Sequence, residues 1–260
     1  MILAILLITG CEKPVEWIFD SRELNLLVVD GIITNELKSQ HISLSVSNPE
    51  INEGRQPVSG AFVTVDDGMN TYFFSESMDE PGNYFSTPFQ AVIDSRYHLM
   101  VVWEADTFEA WSDIEPVTPL DTLVYSYNKS NRLFRYNHTA GGQPAMIKIF
   151  YDWSADTTYC ALYGSCMAQE TWYILDNVDV NAVFSPEREV IYFPFGTVIV
   201  RQKYSLTGEH QEFVRSLLME TDWSGGMFDV QHGNVATNIS NGGLGYFAAC
   251  MVVKDTILVQ

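Results

Sequence analysis

The sequence predicts a mainly all-β protein, with an immunoglobulin-like β-sandwich over residues 25–114 and a second β-rich domain over residues 121–260 that carries one helix. Short segments of alternating apolar and polar residues recur along the chain, separated by turn-forming residues. A helical periodicity is clear in a single stretch, near residues 208–221. Hydrophobic residues make up 47% of the 260 residues, which excludes a disordered chain and allows a full core.

The N-terminal domain is predicted from a series of short strands. Gly31 interrupts the first strand with a kink or bulge, and Asp67-Gly68 marks a hairpin turn. Residues 41–47 alternate cleanly, so that strand has one buried and one wet face. Strands of this length and spacing are typical of an immunoglobulin-like sandwich. They are predicted at residues 25–34, 41–47, 61–65, 71–74, 84–85, 97–103 and 108–111.

The second domain follows an extended, proline-containing linker over residues 114–120. A last strand is expected to end at Val253, and Pro194 interrupts the strand before the helix. Longer connections remain at residues 125–145 and 176–188. The other strands of this domain are predicted at residues 147–153, 172–175 and 190–200.

The predicted helix runs from Glu209 to Glu220 and is amphipathic. His210 is expected on its polar side. Its apolar stripe consists of Phe213, Val214, Leu217 and Leu218.

The N-terminus predicts export and lipid anchoring. Residues 1–10 are typical of a lipoprotein signal peptide, because a short apolar run leads into Ile-Thr-Gly-Cys at residues 8–11. The small residues admit a signal peptidase, and the Cys11 thiol would carry the lipid, leaving residues 11–24 as a lipidated tether. One departure from the usual signal peptide is the missing positive charge at its start, since no Lys or Arg precedes Lys13. The alternative is an ordinary N-terminal strand that ends in Gly-Cys.

Charge and motifs exclude several classes of function. Asp and Glu number 33 against 14 Lys and Arg, a net charge of −19, which disfavours nucleic acid as a partner. The sequence has no nucleophile elbow, no H-E-x-x-H pair and no phosphate-binding loop. We therefore expect no enzyme activity, no cofactor and no metal site. Two alternatives stay open: a calcium site at residues 176–181, and a hydrolase site assembled only in three dimensions.

Cys160 and Cys166 are candidates for a disulfide, because an exported protein meets oxidising conditions and the pair could close a small loop. The alternative is that Cys160, Cys166 and Cys250 are all buried thiols that act as small hydrophobic residues.

Several motifs, in this order, resemble one family of lipoproteins. They are the Cys11 lipobox, the Leu-Val-Val-Asp-Gly-Ile-Ile strand from Leu27, Pro-Val-Ser-Gly-Ala-Phe-Val-Thr-Val from Pro57, Pro-Gly-Asn-Tyr from Pro81, and the ending from Asn238 through Leu-Gly-Tyr-Phe-Ala-Ala. Together they are similar to the Bacteroidota outer-membrane lipoproteins grouped as domain of unknown function 4249. The resemblance implies two β-rich domains and supplies no catalytic residues.

The resemblance also implies a role and a location. Members of that family are often associated with TonB-dependent outer-membrane receptors, so we expect a non-catalytic accessory subunit of such a transporter that takes part in nutrient capture or uptake. The chain is then expected in the outer membrane, held by its lipid and facing the cell surface. The surface-export signal of such lipoproteins is a Lys with acidic neighbours just after the cysteine, and Glu12-Lys13-Pro14 matches only half of it. The alternative is a stand-alone glycan- or peptide-binding surface lipoprotein, which exposed Trp or Tyr residues lining a groove would favour.

Overall fold

The computed structural model of the protein describes residues 25–48, 54–138, 142–177, 180–183, 189–224 and 235–260. Strands dominate these residues, which confirms the all-β class. The predicted signal peptide (residues 1–10) and tether (residues 11–24), with the lipidation site Cys11, lie outside the described residues.

The elements run from β1 to β16 and from α1 to α3. In chain order the strands are β1 (Leu27–Thr34), β2 (His41–Val46), β3 (Gln56–Pro57), β4 (Phe62–Asp66), β5 (Thr71–Glu76), β6 (Asn83–Ser86), β7 (Arg96–Trp103), β8 (Asp106–Asp113), β9 (Tyr125–Asn128), β10 (Leu133–Tyr136), β11 (Ala145–Asp152), β12 (Met167–Ile174), β13 (Tyr192–Phe193), β14 (Val198–Ser205), β15 (Leu244–Cys250) and β16 (Val252–Leu258). The helices are α1 (Thr157–Tyr163), the one-turn α2 (Val180–Val183) and α3 (Gly208–Glu220). Within the described ranges, none of them has the length and apolar character needed to cross a bilayer.

The N-terminal strands share one continuous sheet. Within the described residues its order is β15-β1-β2-β6-β5-β4-β7-β8, with β3 paired to β2. The two ends of this sheet approach each other, because the Ser240 N–H donates to the Glu109 carbonyl at 2.8 Å and the Ala249 N–H donates to the Ser112 hydroxyl at 2.9 Å. The strands expected to form two facing sheets therefore curl into one nearly closed sheet around a shared apolar core.

The strand β15 comes from the C-terminal part of the chain and pairs in parallel with β1, with Val29 opposite Gly245. The sequence predicted residues 121–260 as a separate domain, and the structure differs here, since residues 244–250 complete the N-terminal sheet. Gly245 adopts a φ of +83°, and a Cβ at this position would overlap the carbonyl oxygen of Val29. Only glycine therefore allows the two backbones to approach this closely.

The strands outside this sheet form a second unit, which contains two smaller sheets. Among the described residues, one has the order β12-β11-β14-β16 and the other β13-β10-β9. The predicted break at Pro194 is confirmed, since it lies between β13 and β14. The strands β9 and β10 occupy part of residues 125–145, for which the sequence predicted only a connection. Both are four residues long, too short for alternation to identify them.

The two units are joined at Met251. The sequence predicted a single last strand that ends at Val253, and this prediction was wrong, because the chain leaves one sheet at β15 and enters another at β16. Ser205 holds the crossing: its N–H donates to the Met251 carbonyl and its hydroxyl oxygen accepts from the Met251 N–H, both at 2.9 Å.

The helix predicted near residues 208–221 is confirmed as α3, and the Thr207 hydroxyl oxygen accepts from the His210 N–H at 3.2 Å as its N-cap. Val214 and Leu218 are buried, as the stripe predicts. The expected exposure of His210 was wrong, since this ring is 4% exposed and stacks on Tyr246 of β15 at 4.7 Å. The start of α3 packs against β15, so the polar side of the helix is partly buried there.

Candidate ligand-binding site

A cavity of about 730 Å³ opens in the second unit, where β10, β12 and the C-terminal end of α3 meet. Its volume lies within the range of about 300–1,000 Å³ that is typical of small-molecule sites. Aromatic rings and hydrogen-bonding side chains share its wall. The described residues that line it are Arg135, Tyr136, Asn137, His138, Glu170, Trp172, Tyr173, Ala182, Glu189, Val190, Ile191, Leu218 and Trp223.

Glu170 organises the wall on β12. The Trp172 indole N–H donates to its Oε2 at 2.9 Å, and the Tyr151 hydroxyl donates to its Oε1. His138 Nε2 lies 3.5 Å from the same Oε1, and the His138 ring stacks on Trp172 with 3.5 Å between ring centroids. One carboxylate therefore sets the orientation of three ring side chains.

The hydrogen bonds to Glu170 keep it ionised. Burial would raise the pKa of this carboxyl, but donation from His138, Tyr151 and Trp172 outweighs burial and lowers the pKa below its ordinary value of 4.5. Burial and the Glu170 charge together raise the pKa of Tyr151 above its ordinary value. At neutral pH the carboxylate therefore accepts and the phenol donates, as the geometry requires.

Arg201 contacts the cavity wall through Tyr136. Its guanidinium pairs with Asp255, donates to the Tyr136 hydroxyl at 3.2 Å and donates to the Asp121 carbonyl at 2.8 Å. The Arg201 side chain is 3% exposed. Burial disfavours its charge, but pairing with Asp255 and Tyr136 raises the pKa of the guanidinium above its ordinary value. A buried charge held in this way fixes the position of Tyr136.

The C-terminal end of α3 supplies the opposite wall. Leu218 is 5% exposed, and its carbonyl accepts from the N–H of Trp223 at 2.8 Å. This turn directs the chain back toward the cavity after the helix ends, so that Leu218 and Trp223 both line it.

The arrangement is suited to binding. Among the described lining residues there is no Ser, Thr or Cys that could act as a nucleophile beside the His138–Glu170 pair. The Glu170 carboxylate already has contacts with three ring side chains. A hydrolase site needs a nucleophile within hydrogen-bond reach of a base, so this cavity gives the hydrolase hypothesis no support.

The residues predicted from sequence lie elsewhere. A disulfide joins Cys160 in α1 to Cys166 just after this helix, and neither residue lines the cavity. Cys250 is buried as a thiol. The calcium alternative at residues 176–181 falls partly outside the described residues. In the described ranges, no three His, Cys, Asp or Glu side chains come together as metal ligands would.

The cavity residues were missed for identifiable reasons. Trp172 lies in the predicted strand over residues 172–175, where a tryptophan is typical of a core, and His138 lies in the predicted connection over residues 125–145. The sequence feature that could have identified them is the spacing of Glu170 and Trp172, which puts a carboxylate and an indole on the same face of one strand. A carboxylate on the face of a strand that also carries large apolar residues needs buried partners, which points to a built polar cluster.

A family model described as domain of unknown function (DUF4249) matches residues 12–256 of the chain. The match includes both units and every residue that lines the cavity. No curated protein matches the chain.

Proposed function

From the premise that this chain belongs to the DUF4249 family, we propose that it is a non-catalytic outer-membrane lipoprotein that binds a ligand in the cavity of its second unit. In this proposal it serves as an accessory subunit of a TonB-dependent receptor and takes part in nutrient capture or uptake. The observation that carries the proposal is the aromatic wall held in place by the half-buried Glu170 carboxylate.

Rigid orientation of the wall supports a binding role. The Trp172 ring is held by a hydrogen bond along its edge and by His138 on its face. Tyr136 is held by a hydrogen bond from Arg201 to its hydroxyl. A site whose side chains are already ordered loses less conformational entropy on binding, which favours affinity.

The location in the outer membrane rests on sequence. Residues 8–11 match the lipobox pattern, and three acyl chains on Cys11 would make attachment effectively permanent. The acidic surface, with a net charge of −19, fits a domain that stands away from anionic head groups.

The second candidate is a surface lipoprotein that binds a glycan or peptide without a transporter. The aromatic lining of the cavity favours this function specifically, because Trp and Tyr offer flat, ordered contact surfaces. The two candidates share the cavity and differ in whether a receptor is bound.

The test is extraction of native outer membranes in mild detergent through a C-terminal tag, followed by mass spectrometry. We expect a TonB-dependent receptor to co-elute in stoichiometric amount. A Cys11→Ser variant is the control, and we expect it to be absent from the membrane fraction. Recovery of the membrane-anchored chain without any partner would contradict the accessory role and leave the second candidate. Recovery of Cys11→Ser in the membrane without a bound receptor would contradict the lipid anchor.

A further inference from the structure

We propose that the ligand of the cavity is a neutral sugar of one or more rings, stacked on the aromatic wall and hydrogen-bonded at the rim. This inference rests on the proposed binding function and narrows it to one class of ligand. It follows from the shape of the wall, from the charge of the lining residues and from the polar groups beside the rings.

The wall offers ordered aromatic surface, since Tyr136, His138 and Trp172 all line the cavity. Trp172 is oriented by Glu170 and by the His138 ring that stacks on it. Tyr136 stands nearly perpendicular to His138, at 83° and 4.4 Å between centroids, so that the rings form a corner. A pyranose ring presents C–H groups on its faces, and such apolar faces pack against aromatic side chains.

The charge of the lining favours a neutral ligand. The charged side chains are Arg135, Glu170 and Glu189, with His138 beside them. Glu170 already has contacts with Tyr151, Trp172 and His138, so its charge is compensated within the protein. The other two charges in the lining, on Arg135 and Glu189, are opposite in sign, so an organic cation would find little net negative charge there. An anion would be repelled by the acidic chain as a whole.

Polar groups beside the rings suit hydroxyls. The Asn137 Oδ1 accepts from the Ser126 hydroxyl at 3.1 Å, which orients the amide. Its Nδ2 has no acceptor among the described residues and is available to a ligand. A purely apolar ligand would cover such groups without replacing their hydrogen bonds to water, which costs free energy. A sugar carries hydroxyls at its edge and C–H groups on its faces, so it matches both the polar groups and the aromatic rings of the wall.

The experiment is calorimetric titration of the lipidated protein in a detergent whose head group contains no sugar. The probes are soluble hexasaccharides of glucose, xylose, mannose and N-acetylglucosamine, with choline and trialanine as probes of the competing classes. We expect at least one hexasaccharide to bind, with an affinity that does not change between low and high salt, because a neutral ligand is not subject to ionic screening.

Three variants locate the site. Trp172→Ala and Trp223→Ala should each lower the affinity by about tenfold or more, as expected for an aromatic anchor. Asn137→Ala should weaken binding without altering the aromatic wall. Trp111→Ala is the matched control, because this indole is 47% exposed on β8 of the N-terminal sheet and does not line the cavity. Its affinity should equal that of the unmodified protein.

Each outcome decides the question. Choline or trialanine binding that depends on Trp172 or Trp223, without sugar binding, would overturn the sugar proposal and leave a binding protein in place. Sugar binding unaffected by the three cavity variants would also overturn it, since the sugar would then bind elsewhere. Failure of every probe would overturn it as well, and the accessory role would still be decided by co-purification from the membrane.

Discussion

Glu170 and Arg201 lie in the same cross-strand row of the four-stranded sheet, each directly opposite Ile149. The two charges contact the same end of β10, since Arg201 donates to Tyr136 and Glu170 lies 3.5 Å from His138. The aromatic wall of the cavity is therefore held between a buried cation and a half-buried anion, separated by one apolar residue. Substitution of Glu170 and substitution of Arg201 should therefore have different effects on stability.

Glu170→Gln should lower the free energy of unfolding at pH 7 by about 2 kcal/mol, because it weakens the hydrogen bonds from Tyr151 and Trp172 to a charged acceptor. The folded state lowers the pKa of Glu170 below 4.5, so its stabilisation is present above pH 4.5 and is lost as the pH falls through the folded value. The variant should therefore lose less stability on acidification than the unmodified protein. Urea unfolding between pH 7 and pH 3 measures this. Glu115→Gln, at an exposed position, is the control and should match the unmodified protein.

Arg201→Ala should lower the free energy of unfolding by about 2–3 kcal/mol, because Tyr136 loses a donor and Asp255, which is 32% exposed, loses its partner. Arg201→Lys should recover only part of this loss, since an ammonium cannot form the paired contacts of a guanidinium. Chemical denaturation measures both variants. Arg96→Ala is the comparison, because that side chain is 63% exposed and should contribute less than about 1 kcal/mol. Equal losses for Arg201→Ala and Arg96→Ala would contradict the role of Arg201.

Gly245→Ala should destabilise the protein by more than about 3 kcal/mol, because the added methyl group would meet the Val29 backbone in the parallel β1–β15 pair. Gly242→Ala separates this effect from backbone strain, since Gly242 also has a positive φ but has open space around it. That control should cost about 1–2 kcal/mol. Thermal unfolding of both variants makes the comparison, and similar losses would argue against close contact at Gly245.

His210→Phe should remove a pH dependence between pH 6.5 and pH 4. Burial lowers the pKa of His210 from 6.5 to about 4, so the unfolded chain binds more protons in this range and the stability falls as the pH decreases. At pH 5.5 the loss amounts to about 1 kcal/mol relative to pH 7.5. Phenylalanine can keep the stack on Tyr246 without titrating. Urea unfolding at the two pH values provides the test, and an unchanged pH dependence in the variant would place the titration elsewhere.

The Cys160–Cys166 disulfide predicts a specific thiol count. The denatured, unreduced protein should show alkylation of Cys250 but not of Cys160 or Cys166, and reduction should expose both. Replacing both bridged cysteines with serine should lower the free energy of unfolding by about 2 kcal/mol. Mass spectrometry of alkylated peptides gives the count. Alkylation of Cys160 before reduction would show that the bridge is not formed.

Local patterns predicted the individual elements well. The strand over residues 41–47 and the helix near residues 208–221 could be predicted because alternation and helical spacing arise from side chains that are close in sequence. The strands β9 and β10 escaped prediction because four residues carry too little periodicity. The exposure of His210 was wrong because it depends on β15, a strand more than 30 residues further along the chain.

The sequence by itself determined the all-β class, the turns, the amphipathic helix and the similarity to the DUF4249 family, since all of these follow from residue types at short spacing. The tertiary structure decided that β15 joins β1 and that Tyr136, His138, Glu170 and Trp172 form one wall. These contacts bring together segments from different strands, and their partners are chosen by close packing and by the need to compensate buried charge. Neither requirement leaves a periodic pattern in the sequence, so the cavity became visible only in the folded protein.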